Sequence, residues 1–126
     1  MYALIIDDSR AIRTLIGRMV TSFGLEPRYA ANGLEALGML GASEQPTVVL
    51  VDWNMPVMNG IDFVRAMRAN TANADVRVVM VTSETDPAQM QEALACGANE
   101  WVMKPFNGDM LRDKLLQLNV IESLPC

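Results

Sequence analysis

Three carboxylates, a hydroxyl and an ammonium group stand where short apolar runs stop. Asp7 and Asp8 follow Tyr2-Ala-Leu-Ile-Ile, Asp52 follows Thr47-Val-Val-Leu-Val, Thr82 follows Val76-Arg-Val-Val-Met-Val, and Lys104 follows Glu100-Trp-Val-Met. If each run is a strand of one sheet, all five groups reach a common edge, and strand ends are where open α/β sheets bind ligands. Carboxylates gathered there repel one another, so a cation or raised pKa values must relieve them. Oxygen ligands with no His or Cys nearby favour a hard ion. Magnesium fits best: it accepts one or two carboxylates, keeps several waters and completes its octahedron with phosphate oxygens. One carboxylate can then act as a nucleophile toward phosphorus, while the metal, Lys104 and Thr82 stabilise charge on the phosphoryl oxygens. The pattern describes an aspartyl-phosphate site.

Alternating elements are needed to bring these groups together. From Ser9 to Phe23, apolar residues at Ile12, Leu15, Ile16, Met19, Val20 and Phe23 have the spacing of a helix with one buried face, and Gly24 supplies its stop. A short strand around Arg28-Tyr-Ala precedes a helix opened by Asn32 and carrying Leu34, Leu37 and Leu40 inward. After Asp52 comes an irregular stretch with Pro56 and the turn signal Asn59-Gly60. A third helix turns Ile61, Val64 and Met67 inward and gives way to the polar run from Asn70 to Asp75. Asp86, Pro87 and Gln89 have the form of an N-cap, a first-position proline and a capping-box partner for a helix ending at Gly97. Phe106, Asn107 and Leu111 occupy the N′, N-cap and N4 places of a last helix reaching about Val120.

Strands alternating with helices imply right-handed crossovers and a mostly parallel sheet covered on both faces. The runs at Val48 and Val78 are apolar on consecutive positions, as central strands are; those at Arg28 and Trp101 mix polar with apolar residues and suit the edges. The expected fold class is therefore α/β, a doubly wound five-stranded sheet of order 2-1-3-4-5 with five helices, its switch point between the first and third strands where Asp8 and Asp52 meet. At 126 residues the chain is read as one domain over 1–126, with an ordered core over about 2–120 and a short tail over 121–126. A net charge of −5 without any Lys/Arg cluster argues against nucleic-acid or anionic-membrane partners. Cys96 and Cys126 have neither the number nor the spacing of a disulfide framework or zinc site. The absence of an export signal or a ~20-residue apolar span makes the cytoplasm the expected location.

The joint set Asp7-Asp8, Asp52-Trp-Asn-Met-Pro with Gly60, Thr82-Ser83 and Lys104-Pro105-Phe106 resembles the receiver domain of two-component response regulators over essentially the whole chain. It is most similar to single-domain chemotaxis regulators of the CheY type. The resemblance implies a flavodoxin-like fold in which Asp52 accepts a phosphoryl group from the phosphohistidine of a sensor histidine kinase. Asp8, Asp52 and the backbone carbonyl of Asn54 would hold magnesium, with Asp7 acting through a metal-bound water. Lys104 would pair with Asp52 and then with a phosphoryl oxygen, its peptide to Pro105 being cis. Thr82 and Trp101 would form the switch pair, Ser83 would leave access for the phosphodonor, and Asn54 and Glu84 would border the path of the hydrolytic water. An effector would read the face made by the fourth helix, the fifth strand and the last helix.

Other classes share parts of this pattern. A haloacid-dehalogenase-type phosphatase also uses a strand-end Asp, magnesium and Lys, but needs Asp-x-Asp where this chain has Asn54, and a cap domain for which there is no room. A phosphorylation-independent interaction module would be favoured by loss of magnesium binding. Among receivers, a phosphorelay or cell-cycle role is the alternative to chemotaxis, because the segment from Asp86 to Cys96 has no Lys or Arg with which to dock an acidic peptide.

Overall fold

A computed structural model describes residues 2–41, 44–83 and 87–121. Five strands alternate with five helices: β1 (Tyr2–Ile6), α1 (Arg10–Ser22), β2 (Glu26–Ala30), α2 (Gly33–Leu40), β3 (Val48–Asp52), α3 (Gly60–Arg68), β4 (Arg77–Thr82), α4 (Pro87–Cys96), β5 (Glu100–Met103) and α5 (Gly108–Gln117), with a 3₁₀ turn at Thr71–Asn73 before β4. The strands are parallel and lie in the order 2-1-3-4-5, as the apolar runs imply.

Alternation along each strand divides the core into two layers. Leu4, Ile6, Val49, Val51, Val78 and Met80 pack with Ala36, Leu40, Phe63, Val64, Met67 and Ala93 of α2, α3 and α4. Ala3, Ile5, Leu50, Val79, Val81 and Val102 pack with Ile16 and Val20 of α1 and Leu111 and Leu115 of α5. Every residue of β1 and β3 is buried, so each large aliphatic side chain there contributes about 1.5–3 kcal/mol on transfer from water.

Helix starts follow the polar signals. Ser9, Asn32, Asn59 and Asn107 are N-caps whose side chains accept from the main-chain N–H three residues on. Phe106 joins the α1/α5 layer and Leu111 is buried at N4, completing the expected staple. Gly24, at φ +90, closes α1 as expected. Asn59-Gly60, expected as a turn, instead caps and opens α3. Asp86, Glu84 and Cys126 lie outside the described residues.

Two inward assignments are corrected. Leu15 is 47% exposed and Leu34 58% exposed. Leu15 lies about 100° around the helix from Ile16, and the inward place beside Ile16 belongs to Gly17, where any Cβ would meet the Tyr29 ring. On α2 the buried stripe is Gly33, Ala36 and Leu40, because a Cβ at Gly33 would lie 3.0 Å from Met58 and 3.1 Å from Phe63. Close approach of a neighbouring side chain thus sets the stripe at both places, from β2 at Gly17 and from α3 and the loop before it at Gly33. The last helix stops at Gln117, short of the expected Val120, although Val120 is buried.

The polar run after α3 is structural. Asn73 is buried, donates to the Met67 carbonyl (2.8 Å) and accepts from Gln45 (2.7 Å). The Arg68 guanidinium donates to the carbonyls of Gly97 (3.1 Å), Asn73 (2.6 Å) and Val76 (2.6 Å) and to Asn99 Oδ1 (3.0 Å). These bonds tie the sheet at the end away from the five chemical groups. Among the described residues no helix is long and apolar enough to cross a membrane.

Candidate functional site

Strand alternation aims the polar groups. Ile5, Leu50 and Val102 all enter the α1/α5 layer; two residues on, with the same parity, come Asp7, Asp52 and Lys104. Val78 and Met80 enter the other layer, and Thr82 continues their parity. Trp101 packs against that same layer and is paired in register with Met80, one alternation before Thr82, which pairs with Met103. Three strand ends therefore converge on one cluster, while Thr82 and Trp101 share the opposite face.

Carboxylate oxygens of Asp7, Asp8 and Asp52 lie within 4.8 Å of one another. Asp7 and Asp52 are buried, at 2% and 8% exposure, and Asp8 is exposed. Lys104 Nζ stands 3.3 Å from Asp52 Oδ1 and 3.6 Å from Asp7 Oδ2. Burial first, and then the negative charge of Asp7, pushes the Asp52 carboxyl above its ordinary pKa; Lys104 and the Trp53 main-chain N–H oppose this without cancelling it.

Asp7 is anchored on three sides. Its N–H donates to the Ala30 carbonyl (3.2 Å), its Oδ1 accepts from the Ser9 N–H (2.8 Å), and its carbonyl accepts from Arg13 Nη1 (2.7 Å). Its Oδ2 is buried without a hydrogen bond, the ammonium at 3.6 Å being too far to make one. A buried charged oxygen left unpaired is costly. Among the described residues one ammonium is paired with this cluster of three carboxylates, which leaves it short of positive charge. Both observations, with a donor set made only of oxygens, fit a hard divalent cation or a water bound to it.

Thr82 is buried, and its carbonyl accepts the Lys104 N–H (2.8 Å), so β4 fixes where the lysine leaves β5. The Lys104–Pro105 peptide is cis, as the resemblance implies. Trp101 is half-buried at the sheet edge, with Lys114 Nζ 5.8 Å from its ring centroid. Lys114 also pairs with Glu100 Oε1 at 3.4 Å, and that oxygen accepts the Trp101 N–H at 3.0 Å. A groove of about 380 Å³ between β5 and α5 is lined by Trp101, Met103, Met110, Asp113 and Lys114 among others. Asn54 and Ser83 are exposed at the rim, while Glu84 is outside the described residues.

Two features of the loop after Asp52 were not legible as site features. Met58 N–H donates to the Pro56 carbonyl (2.8 Å) across Val57, whose φ is 72. That is a γ-turn of the rare positive-φ kind, on a β-branched residue, at a cost of roughly 1–3 kcal/mol. Gly60 donates to the Trp53 carbonyl (2.9 Å), and a Cβ there would stand 2.5 Å from the Asp52 carbonyl oxygen and 2.9 Å from Met80 Cε. The nearest obstacle is backbone, so it cannot rotate away. Gly60→Ala should cost about 1–3 kcal/mol and displace Asp52; thermal melts would show the loss, and slower labelling by a small phosphodonor the displacement.

Comparison with known proteins gives one consistent result. A family model described as the response regulator receiver domain matches residues 3–116. Chemotaxis protein CheY1 of Helicobacter pylori is 36% identical over 116 residues, covering 91% of this chain and 94% of its own. Chemotaxis protein CheY of Pseudomonas aeruginosa is 38% identical over 116 residues, covering 91% and 93%. Among solved structures, chemotaxis protein CheY4 of Vibrio cholerae superposes with a TM-score of 0.87 at 37% identity, covering 93% of this chain and 97% of that one.

Proposed function

Because the chain belongs to the response regulator receiver family and is of the CheY type, we propose that Asp52 accepts a phosphoryl group from the phosphohistidine of a sensor histidine kinase. A carboxylate oxygen of Asp52 attacks phosphorus, the P–N bond breaks, and the imidazole leaves with its electron pair. Asp8, Asp52 and the Asn54 carbonyl would hold magnesium directly and Asp7 through water; when bound, it supplies positive charge for the phosphoryl oxygens. Lys104, 3.3 Å from Asp52 Oδ1, exchanges that contact for a phosphoryl oxygen. The observation that carries this proposal is the buried Asp7 Oδ2, left without a hydrogen bond beside Asp52 and Lys104.

The added phosphate brings negative charge and acceptor oxygens. Thr82 turns toward a phosphoryl oxygen and Trp101, on the same face, moves into the space released, altering the surface formed by α4, β5 and α5. That surface, with the groove beside Trp101, is where an effector binds. Relatives named as chemotaxis proteins make motility control the favoured pathway, in the cytoplasm and without nucleic acid or membrane as partner. Asn54 and Glu84 tune hydrolysis of the aspartyl phosphate by water, so the signal is self-limiting.

Trp53 adjoins the acceptor and Trp101 sits at the proposed switch, so the chain carries its own reporters. Titration with magnesium and then beryllofluoride should change tryptophan fluorescence in the wild type, with the second step absent in Asp52→Asn. No response, together with calorimetry that detects no magnesium binding, would move the assignment to a phosphorylation-independent interaction module.

A further inference from the structure

The first turn of α1 contains Arg10 and Arg13 and no acidic residue. Cations there face the positive end of the helix dipole and weaken the helix, so helix stability does not account for Arg13. Its side chain instead turns back toward the acidic edge, where Nη1 donates to the Asp7 carbonyl at 2.7 Å in a partly buried bond. This carbonyl belongs to the peptide that joins Asp7 to Asp8. Asp8 is exposed, and among the described residues its carboxylate has no hydrogen bond or ion pair, so its direction depends on the backbone that carries it. The Ala30 and Ser9 bonds fix Asp7 from the other sides. Arg13 is the third fixing point, and its bond falls on the peptide that joins Asp7 to Asp8.

We propose that Arg13 is a positioning residue for the cation site: by holding the Asp7 carbonyl it fixes the Asp7–Asp8 peptide and so aims the Asp8 carboxylate at the same point as those of Asp7 and Asp52. As part of the magnesium-dependent site proposed above, it acts through the backbone and not by touching the ion. Two roles of the guanidinium then have opposite signs. As a positive charge near the site it repels a cation, so its removal would tighten magnesium binding. As a brace it organises the ligands, so its removal loosens binding. The backbone bond makes the second effect the larger, and the loss of a supporting partner of this kind is on the order of tenfold in metal affinity.

Magnesium titrations followed by Trp53 fluorescence at constant ionic strength, with a thermal melt of each protein, test this. Arg13→Ala and Arg13→Met should both bind magnesium on the order of tenfold more weakly, with melting temperatures that do not track the loss. Arg13→Lys, which keeps an N–H donor able to reach the carbonyl, should recover much of the affinity. Met retains the aliphatic stem, so it serves if Ala fails to fold. Unchanged or tighter binding in both variants would overturn the role of Arg13 while leaving the site itself standing. Absence of magnesium binding in the wild type would overturn the site and this role together.

Discussion

Asp52→Asn should abolish labelling by acetyl phosphate while raising the stability of the magnesium-free protein at neutral pH. The amide has no anionic oxygen to attack phosphorus, and neither Asp7 nor Asp8 occupies the end of the central strand, so labelling falls to background. The gain in stability follows from the raised pKa of Asp52, caused first by burial and then by Asp7. A carboxyl whose folded pKa lies above its unfolded value contributes stability that is fully present below the unfolded pKa. That contribution is lost as pH rises through the folded value. At neutral pH the ionised Asp52 therefore opposes folding, and the neutral amide relieves that cost. The gap in melting temperature between variant and wild type should narrow as pH falls through the raised folded pKa of Asp52 and finish narrowing once pH is below the ordinary carboxylate range. Magnesium should work against this order, because the wild type gains about 1.4 kcal/mol once the ion stands about tenfold above its Kd, and more as the ion is raised further. A variant that still labels, or that is less stable at neutral pH without magnesium, would contradict the assignment of Asp52.

Lys104→Ala is expected to separate binding from signalling. The ammonium stands 3.3 Å from Asp52 and 3.6 Å from Asp7 and is, among the described residues, the cation paired with the cluster. Without it the carboxylates face a bound cation with less competition, so magnesium affinity should hold or rise. Phosphoryl transfer loses a donor aimed at developing charge, a change of about 10²–10³ in rate. Whatever phosphorylated protein forms should fail to switch, because no ammonium remains to leave Asp52 for a phosphoryl oxygen and so draw the end of β5 toward the site. In a Trp53→Phe background, where Trp101 alone reports, beryllofluoride should leave the fluorescence of Lys104→Ala unchanged. A normal Trp101 response in that protein would sink the proposed coupling.

Much of this was legible because strand ends and chemistry coincide. Consecutive apolar residues at Val48–Val51 and Val78–Val81 suit central parallel strands and the mixed runs at Arg28 and Trp101 suit edges, and together these order the sheet and bring Asp7, Asp52 and Lys104 to one edge. Leu15 and Leu34 were misread because hydropathy counts side chains, whereas the inward places on their helices belong to Gly17 and Gly33, which admit a neighbour by having none. Gly60 was read as a turn residue for the same reason: nothing in its local sequence reveals that the Asp52 carbonyl lies against it. The missing hydrogen bond of Asp7 Oδ2 and the reach of Arg13 to the Asp7 carbonyl are relations across space that no spacing rule encodes.

Val48, Val49, Leu50 and Val51 offer apolar side chains to both faces of the sheet, so a slip of β3 by one residue would exchange one buried aliphatic for another. Hydrophobicity gives this strand a place but no phase. The phase comes from its polar ends: Thr47, bonded to the Tyr2 carbonyl at 2.9 Å, and Asp52, beyond which Trp53 accepts from Gly60. Drawing Asp52 inward would bury a carboxylate among aliphatic layers, at a cost of roughly several kcal/mol or more. The residue that takes the phosphoryl group is thus also the end-stop of the strand that presents it. Neutralising it removes a penalty against misthreading as well as a nucleophile.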